Sequence, residues 1–168
     1  MEKRITYELR TQGRKLLGYA ATFDAETRIG TMSEVIKAGA FRNSLESGRD
    51  ILALADHDVS RVLGRTKSGT LRLSEDSKGL SFEIDVPDTQ LGRDILAMAN
   101  RGDLGGMSFG FHVPEGGQEW TGSKRTLTRV DLAEISVVSA WPAYQQTSIE
   151  ARRKAPGLLK IKRYLETI

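Results

Sequence analysis

The sequence predicts a mainly β fold with flanking helices (α+β), built as a small, mostly antiparallel, closed barrel of about seven strands. Three observations lead there. Segment after segment alternates apolar and polar residues with period two, as half-buried strands do. Two pairs of such segments flank Gly- and Ser-containing turns and read as hairpins. Only two stretches carry the i, i+3, i+4 spacing of a helix packed on a core. With 168 residues, 39% of them hydrophobic and 28% charged, the chain suits one compact domain.

The elements follow in chain order. Ile5-Thr-Tyr-Glu-Leu-Arg10 alternates as a first strand, and residues 15–23 form a second after the turn at Gly13. Gly18 inside it suggests a bulge or a close backbone approach. Residues 24–31 are polar and loop-like. Ser33 is a helix N-cap candidate, with Glu34 in the first turn and Ala38, Phe41 and Leu45 at helical spacing. Gly39 interrupts this stretch, which favours a turn followed by a short helix, and Gly48 ends it. Residues 51–55 are a short apolar strand running into Asp56-His57-Asp58. The clearest hairpin has arms at 70–73 and 80–86. Asp88 or Thr89 caps the next helix, whose apolar stripe is Leu91, Ile95, Leu96, Met98 and Ala99 and whose stop is Gly102. Residues 105–113 form a Gly-punctuated strand, and a second hairpin spans 118–138 with its turn at 122–124. Trp141-Pro142 breaks the pattern, and a short amphipathic helix is expected over 158–165.

Composition narrows the chemistry. There is no cysteine, which removes disulfides, thiolate metal sites and a Cys nucleophile. Histidine, the residue type suited to acid–base work at neutral pH, occurs only at His57 and His112, so a His-rich metal centre is not expected. No apolar run approaches the roughly 20 residues that span a bilayer, and the first fifteen residues lack the apolar stretch of a signal peptide. The net charge of +3 is unevenly placed: residues 151–168 carry three Lys, three Arg and one Glu, leaving −2 on the first 150. The excess is a basic tail rather than a basic domain, which favours an appended segment over nucleic-acid binding. The organisation is therefore a domain over 1–150 and a basic tail over 151–168, helical or partly disordered.

Three residues could carry catalysis. His57 closes an apolar strand between two aspartates; a core histidine would alternate with apolar neighbours, so the position reads as a strand end opening onto a cleft, and taken alone it favours a functional role no more than a structural one. His112, between Phe111 and Val113, reads as packed or hydrogen-bonded. Ser108 lies in Gly105-Gly-Met-Ser-Phe-Gly110, where flanking glycines let a backbone approach and leave N–H groups unshielded. The spacing matches the G-x-S-x-G elbow, but that motif joins a strand to a helix and this one continues as strand, so an α/β-hydrolase is excluded. By itself the motif favours a structural serine. Glu134 is the one acid in an apolar stretch, on a strand face with Leu132 and Ser136; a buried carboxylate there needs a partner. A histidine that it orients would serve.

Six motifs occur in order: Phe23-Asp24, Glu34-Val-Ile-Lys-Ala-Gly-Ala-Phe41, Leu54-Ala-Asp-His57, Leu63-Gly-Arg65, Gly106-Met-Ser-Phe-Gly110 and Leu132-Ala-Glu-Ile-Ser-Val-Val138. Over residues 17–149 the chain resembles the prohead (capsid maturation) serine proteases of tailed phages, whose fold is similar to the herpesvirus protease assemblin. The resemblance implies a serine endopeptidase with Ser108 as nucleophile, His57 as general base and Glu134 as third member, where herpesvirus relatives use a second histidine. Backbone N–H groups near Ser108 (Gly106, Met107, Phe109) or at Ala140 are the oxyanion and substrate-binding candidates. No metal or other cofactor is implied. The substrate would be scaffold or the scaffold-like segment of the major capsid protein, cut inside the immature capsid in the host cytoplasm, commonly with self-processing. A dimer follows by fold analogy. The alternative is a non-catalytic assembly protein on the same fold.

Overall fold

The computed structural model describes residues 1–6 and 8–139. Ala140, the Trp141-Pro142 break and the tail helix expected over 158–165 lie outside the described residues. Within them run β1 (Glu2–Thr6), β2 (Glu8–Gln12), β3 (Lys15–Thr22), β4 (Thr27–Ile29), β5 (Met32–Ile36), α1 (Arg42–Glu46), β6 (Leu52–Ala55) and β7 (Asp58–Arg65). Then come β8 (Leu71–Glu75), β9 (Gly79–Asp85), α2 (Gln90–Arg101), β10 (Gly106–His112), β11 (Gln118–Thr121), β12 (Lys124–Leu127) and β13 (Asp131–Val138).

The β-rich class is as expected, but the closed barrel is not found. The strands form three open sheets, ordered β1-β10-β13-β6-β7, β11-β12-β5-β4 and β2-β3-β9-β8. The edge strand β7 comes close to β8 and β9, yet among the described residues no ladder joins the two sheets. Two irregularities in the β6–β7 ladder, at Ala53/Leu54 and Leu54/Ala55, account for this, since bulges bend and twist an edge strand away from further pairing. The pairing is mostly antiparallel, as expected, with two exceptions among the described strands. β5 pairs parallel with β12, and β6 pairs parallel with β13.

Several elements match their sequence signals. The β8–β9 hairpin pairs Leu71 with Ile84 and Leu73 with Phe82. α2 is capped by the Thr89 side chain, which accepts from the Gly92 N–H at 3.1 Å, and it ends at Gly102 with φ 74°. α1 is the short helix expected after Gly39. The bulge foreseen near Gly18 falls between Tyr19 and Ala21 in the β3–β9 ladder.

Others differ. Residues 33–36 are strand β5, not the start of a helix, because the Glu34 side chain is buried and claimed by distant partners. The Arg4 guanidinium grips both its oxygens, at 2.5 and 2.8 Å, and Arg125 adds a bond at 3.1 Å. Tertiary pairing overrides the local cap signature. The polar segment 24–31 contributes β4, and 58–65, whose outer residues are mostly exposed, forms β7. The hairpin expected over 118–138 divides: β11 and β12 make the turn at Gly122, while β13 leaves for another sheet between β10 and β6.

The core lies under the five-stranded sheet, where Met107, Phe109, Ile135 and Val137 meet Leu16, Ile84 and Ile95. A chain of rings, Phe23–Phe41–Phe109–Phe111, crosses it with centroids 6.3, 5.6 and 5.3 Å apart. Such contacts contribute about 0.5–1.5 kcal/mol each beyond the area buried. This packing fixes β10 and β13 from one side and leaves their other face to position polar groups.

Candidate active site

Strand alternation sorts β10 into two sets. Met107 and Phe109 face the core, and Ser108 and Gly110 face away from it. β13 lies antiparallel beside it, with Ser136 opposite Ser108 and Glu134 opposite Gly110. These four positions therefore share one face of the sheet. Leu132, expected on that face too, instead pairs with Phe111 and joins the core. The ladder shift at Gly110/Phe111 leaves Ala133 as an extra residue, which reverses the alternation there.

His57 reaches this face from a tight turn. Asp56 and His57 are the two residues between β6 and β7, with φ of 54° and 62°. Two positive φ values are the mark of the I′ hairpin turn, whose twist matches that of the strands it joins. Neither residue is glycine, so the conformation costs on the order of 1 kcal/mol apiece and must be held by its surroundings. The Asp56 N–H donates to the Val137 carbonyl at 2.8 Å, which secures the turn to the end of β13. Asp58 turns the other way: it accepts from the Ser60 hydroxyl at 2.6 Å and its N–H at 2.8 Å. These bonds hold its carboxyl below the usual aspartate range.

The imidazole meets a buried acid. His57 Nδ1 lies 2.7 Å from Glu134 Oε1, and the Glu134 side chain is only 4% exposed. The second oxygen, Oε2, accepts from the Ser136 hydroxyl at 2.5 Å. Each carboxylate oxygen thus has a partner, as burial of an acid requires. Gly110 makes the room: a Cβ there would stand 2.3 Å from Glu134 Oε1 and 3.0 Å from the Met1 sulfur. A neutral imidazole donating from Nδ1 to Glu134 would keep a lone pair on Nε2, the tautomer that can act as a base.

Ser108 completes the face. It is fully buried, and its Oγ has no hydrogen-bond partner among the described residues. A buried hydroxyl left unpaired costs about 1–3 kcal/mol, so its persistence here calls for a reason. It stands one cross-strand step from Ser136 and roughly 7–8 Å diagonally from Glu134 at the Cα level. The structure brings His57 and Glu134 into contact and places Ser108 on the same sheet face as Glu134; it does not join His57 to Ser108.

The remaining candidates are dispersed. Met107 and Phe109 have core-facing side chains and backbones flanked by β1 and β13 on either side, where amides serve the ladders. Gly106, with φ 135°, begins β10 one residue beyond the end of the β1 pairing. Ser139, next to Ala140, has its N–H committed to Asp56 Oδ1 at 2.8 Å. His112 is exposed at the far end of β10 opposite Asp131, roughly 13 Å along the strand from Ser108. Ser136 is the residue sequence reading missed; its signal was the i+2 spacing from Glu134 on one strand face. Among the described residues, no cluster of three His, Cys, Asp or Glu could hold a metal, and no helix is long and apolar enough to cross a membrane. A groove on the β2-β3-β9-β8 sheet, lined by Arg10, Tyr19, Arg72, Ser74 and Glu83, contains none of the candidate residues.

Comparison with known proteins places the chain in a family. The chain is 30% identical over 149 residues to the prohead protease of Enterobacteria phage HK97, an overlap of 86% of this chain and 63% of the phage protein. The chain thus spans just under two thirds of that relative's length. No solved structure matches. The family model described as Caudovirus prohead serine protease covers residues 3–160, a span that includes His57, Ser108 and Glu134. The chain belongs to the caudovirus prohead serine protease family.

Proposed function

We propose that this chain is a serine endopeptidase acting in phage prohead maturation, with Ser108 as nucleophile, His57 as general base and Glu134 as the acid that orients the imidazole. The observation carrying this reading is the His57–Glu134 contact at 2.7 Å, on the sheet face that also carries a buried serine hydroxyl with no hydrogen-bond partner among the described residues. In acyl transfer, His57 Nε2 takes the Ser108 proton as Oγ attacks the scissile carbonyl, then gives it to the leaving amine. Glu134 holds Nδ1–H and stabilises the imidazolium, while Ser136 keeps the carboxylate from rotating. Of the oxyanion candidates, Gly106 is favoured, because the β1 pairing ends before it. Met107 and Phe109 would have to give up ladder bonds, and Ala140 lies beyond the described residues.

The burial of Ser108 adds a step. A hydroxyl with no exposed surface cannot meet a peptide carbonyl, so substrate must displace whatever covers this face and bring His57 Nε2 onto Oγ. The same burial favours the second reading, a non-catalytic assembly protein. The proposed substrate is the capsid precursor, either scaffold or the scaffold-like segment of the major capsid protein, with self-trimming alongside. The basic residues 151–168 serve in this frame as a tether to that substrate, a self-cleavage remnant or a solvated end. The enzyme works as a dimer inside the immature capsid in the host cytoplasm, with no metal or cofactor.

Intact-mass analysis of wild type and Ser108→Ala, each co-expressed with the capsid precursor, tests the proposal. Wild type is expected to yield discrete truncated products that are absent with Ser108→Ala. Identical product masses from both would remove the protease reading, and uncut precursor with both would favour the assembly protein.

A further inference from the structure

We propose that Asp56 is a positioning residue for this site, holding the His57 imidazole where Glu134 can orient it; this rests on the protease reading. Two aspartates flank His57, and only one is turned toward the site's framework. Asp56 Oδ1 accepts from the Ser139 N–H at 2.8 Å, and Oδ2 lies 3.2 Å from the Ser139 hydroxyl and 2.7 Å from Arg61 Nη1. Its own N–H reaches the Val137 carbonyl at 2.8 Å. Asp56 thus clamps the turn through both backbone and side chain to residues 137–139, the end of the strand that carries Glu134.

The geometry makes the clamp necessary. His57 sits in the left-handed region at φ 62°, a conformation a non-glycine residue leaves readily unless held. Its neighbour Asp56, at φ 54°, is of a type that tolerates this region, and the neighbouring β7 is an edge strand with exposed Val59. Without the Asp56 side chain the turn keeps one backbone bond to β13, and the His57–Glu134 contact itself is left to hold the imidazole at its distance from Oε1. Arg61 closes the arrangement from the β7 side, so turn, β7 and β13 are joined at a single carboxylate. The shared strand is what couples the two halves: β13 bears Glu134 within it and receives Asp56 at its end.

The alternative is that Asp56 is present only because asparagine, aspartate and glycine suit a positive φ. Three variants separate the two. Asp56→Asn keeps the left-handed preference and an acceptor for the Ser139 N–H. Asp56→Gly keeps only the backbone freedom, and Asp56→Ala keeps neither. Two readouts are measured on the full chain. One is the low-field proton resonance of His57 Nδ1–H, assigned by its loss in His57→Ala. The other is the pH profile of the rate at which a phosphonofluoridate probe labels Ser108.

The Asn variant is expected to retain the resonance and label within about threefold of wild type, whereas Gly and Ala lose the resonance and label at least about tenfold more slowly. A Gly variant equal to the Asn variant in both readouts would overturn the clamp, and so would an Ala variant equal to wild type. If wild type shows the resonance yet is not labelled at Ser108, the protease reading fails and the resonance alone still decides the role of Asp56. The comparison of Gly with Asn stands even if the Ala variant does not fold.

Discussion

Gly110 and Glu134 show how one missing side chain builds the site. The glutamate carboxylate occupies the space over Gly110, where a Cβ would come within 2.3 Å of Oε1. Gly110→Ala is therefore expected to push Glu134 off His57 and to lower Ser108 labelling by about 10²-fold. Overpacking should destabilise the fold by only about 1–3 kcal/mol, so thermal unfolding and labelling measured together separate the two effects. The same residues show what the sequence could disclose. His57 announced itself as a strand-end histidine, and Glu134 as a lone acid in an apolar run. The glycines around Ser108 suggested backbone approach, whereas Gly110 makes room for an acid from the next strand. Alternation put Ser136 on the same strand face as Glu134, but spacing alone does not say that its hydroxyl donates to that carboxylate.

Among the elements, β5 is the instructive one. Ser33-Glu34 looks like a helix start, and nothing within a few residues contradicts it. What decides the matter lies 30 and 91 positions away, in Arg4 and Arg125, which bind Glu34 on the strand. Arg125 also binds Glu2, so the alternating charges Glu2, Arg4, Glu34 and Arg125 fasten β1 to β5 and β12. The hydrogen bond from Arg125, followed by the attraction of both arginines, holds the Glu2 carboxyl below its ordinary value of 4.5 despite partial burial. A carboxyl lowered on folding stabilises the native state fully above that value and loses the contribution as pH falls through the folded pKa. Thermal unfolding followed below pH 4.5 should therefore show less acid destabilisation in Glu2→Gln than in wild type. Equal acid dependence in both would mean that the network does not secure β1. β7 was hidden for a local reason: its exposed residues mix Asp58, Ser60 and Arg65 with Val59 and Val62, so no period-two alternation marks it as a strand.

At the scale of the whole molecule, the strand count pointed to closure and the structure stops short of it. Hairpin signals specify neighbours but say nothing about whether the last edge meets the first. Where the bulges fall, at β6–β7 and at Ala133, depends on the pairing with neighbouring strands, which a single strand's alternation does not specify. What unifies the three sheets is the common core, reached by Phe41 at the N-cap of α1 and Phe109 from β10. Phe109→Ala is expected to cost about 3–5 kcal/mol and to shift one cooperative transition, seen alike by far-UV circular dichroism and tryptophan fluorescence. Separate transitions for the two probes would mean that the sheets fold independently.

The central claim is that Ser108, and no other serine on this face, is the group that His57 activates. Ser136 stands directly opposite and is itself hydrogen-bonded to Glu134, so it is the natural competitor. Phosphonofluoridate treatment of the wild-type chain, followed by peptide mass mapping, decides between them. One adduct on Ser108, absent from His57→Ala, is the expected result. An adduct on Ser136, or one on Ser108 that forms equally fast without His57, would contradict the assignment.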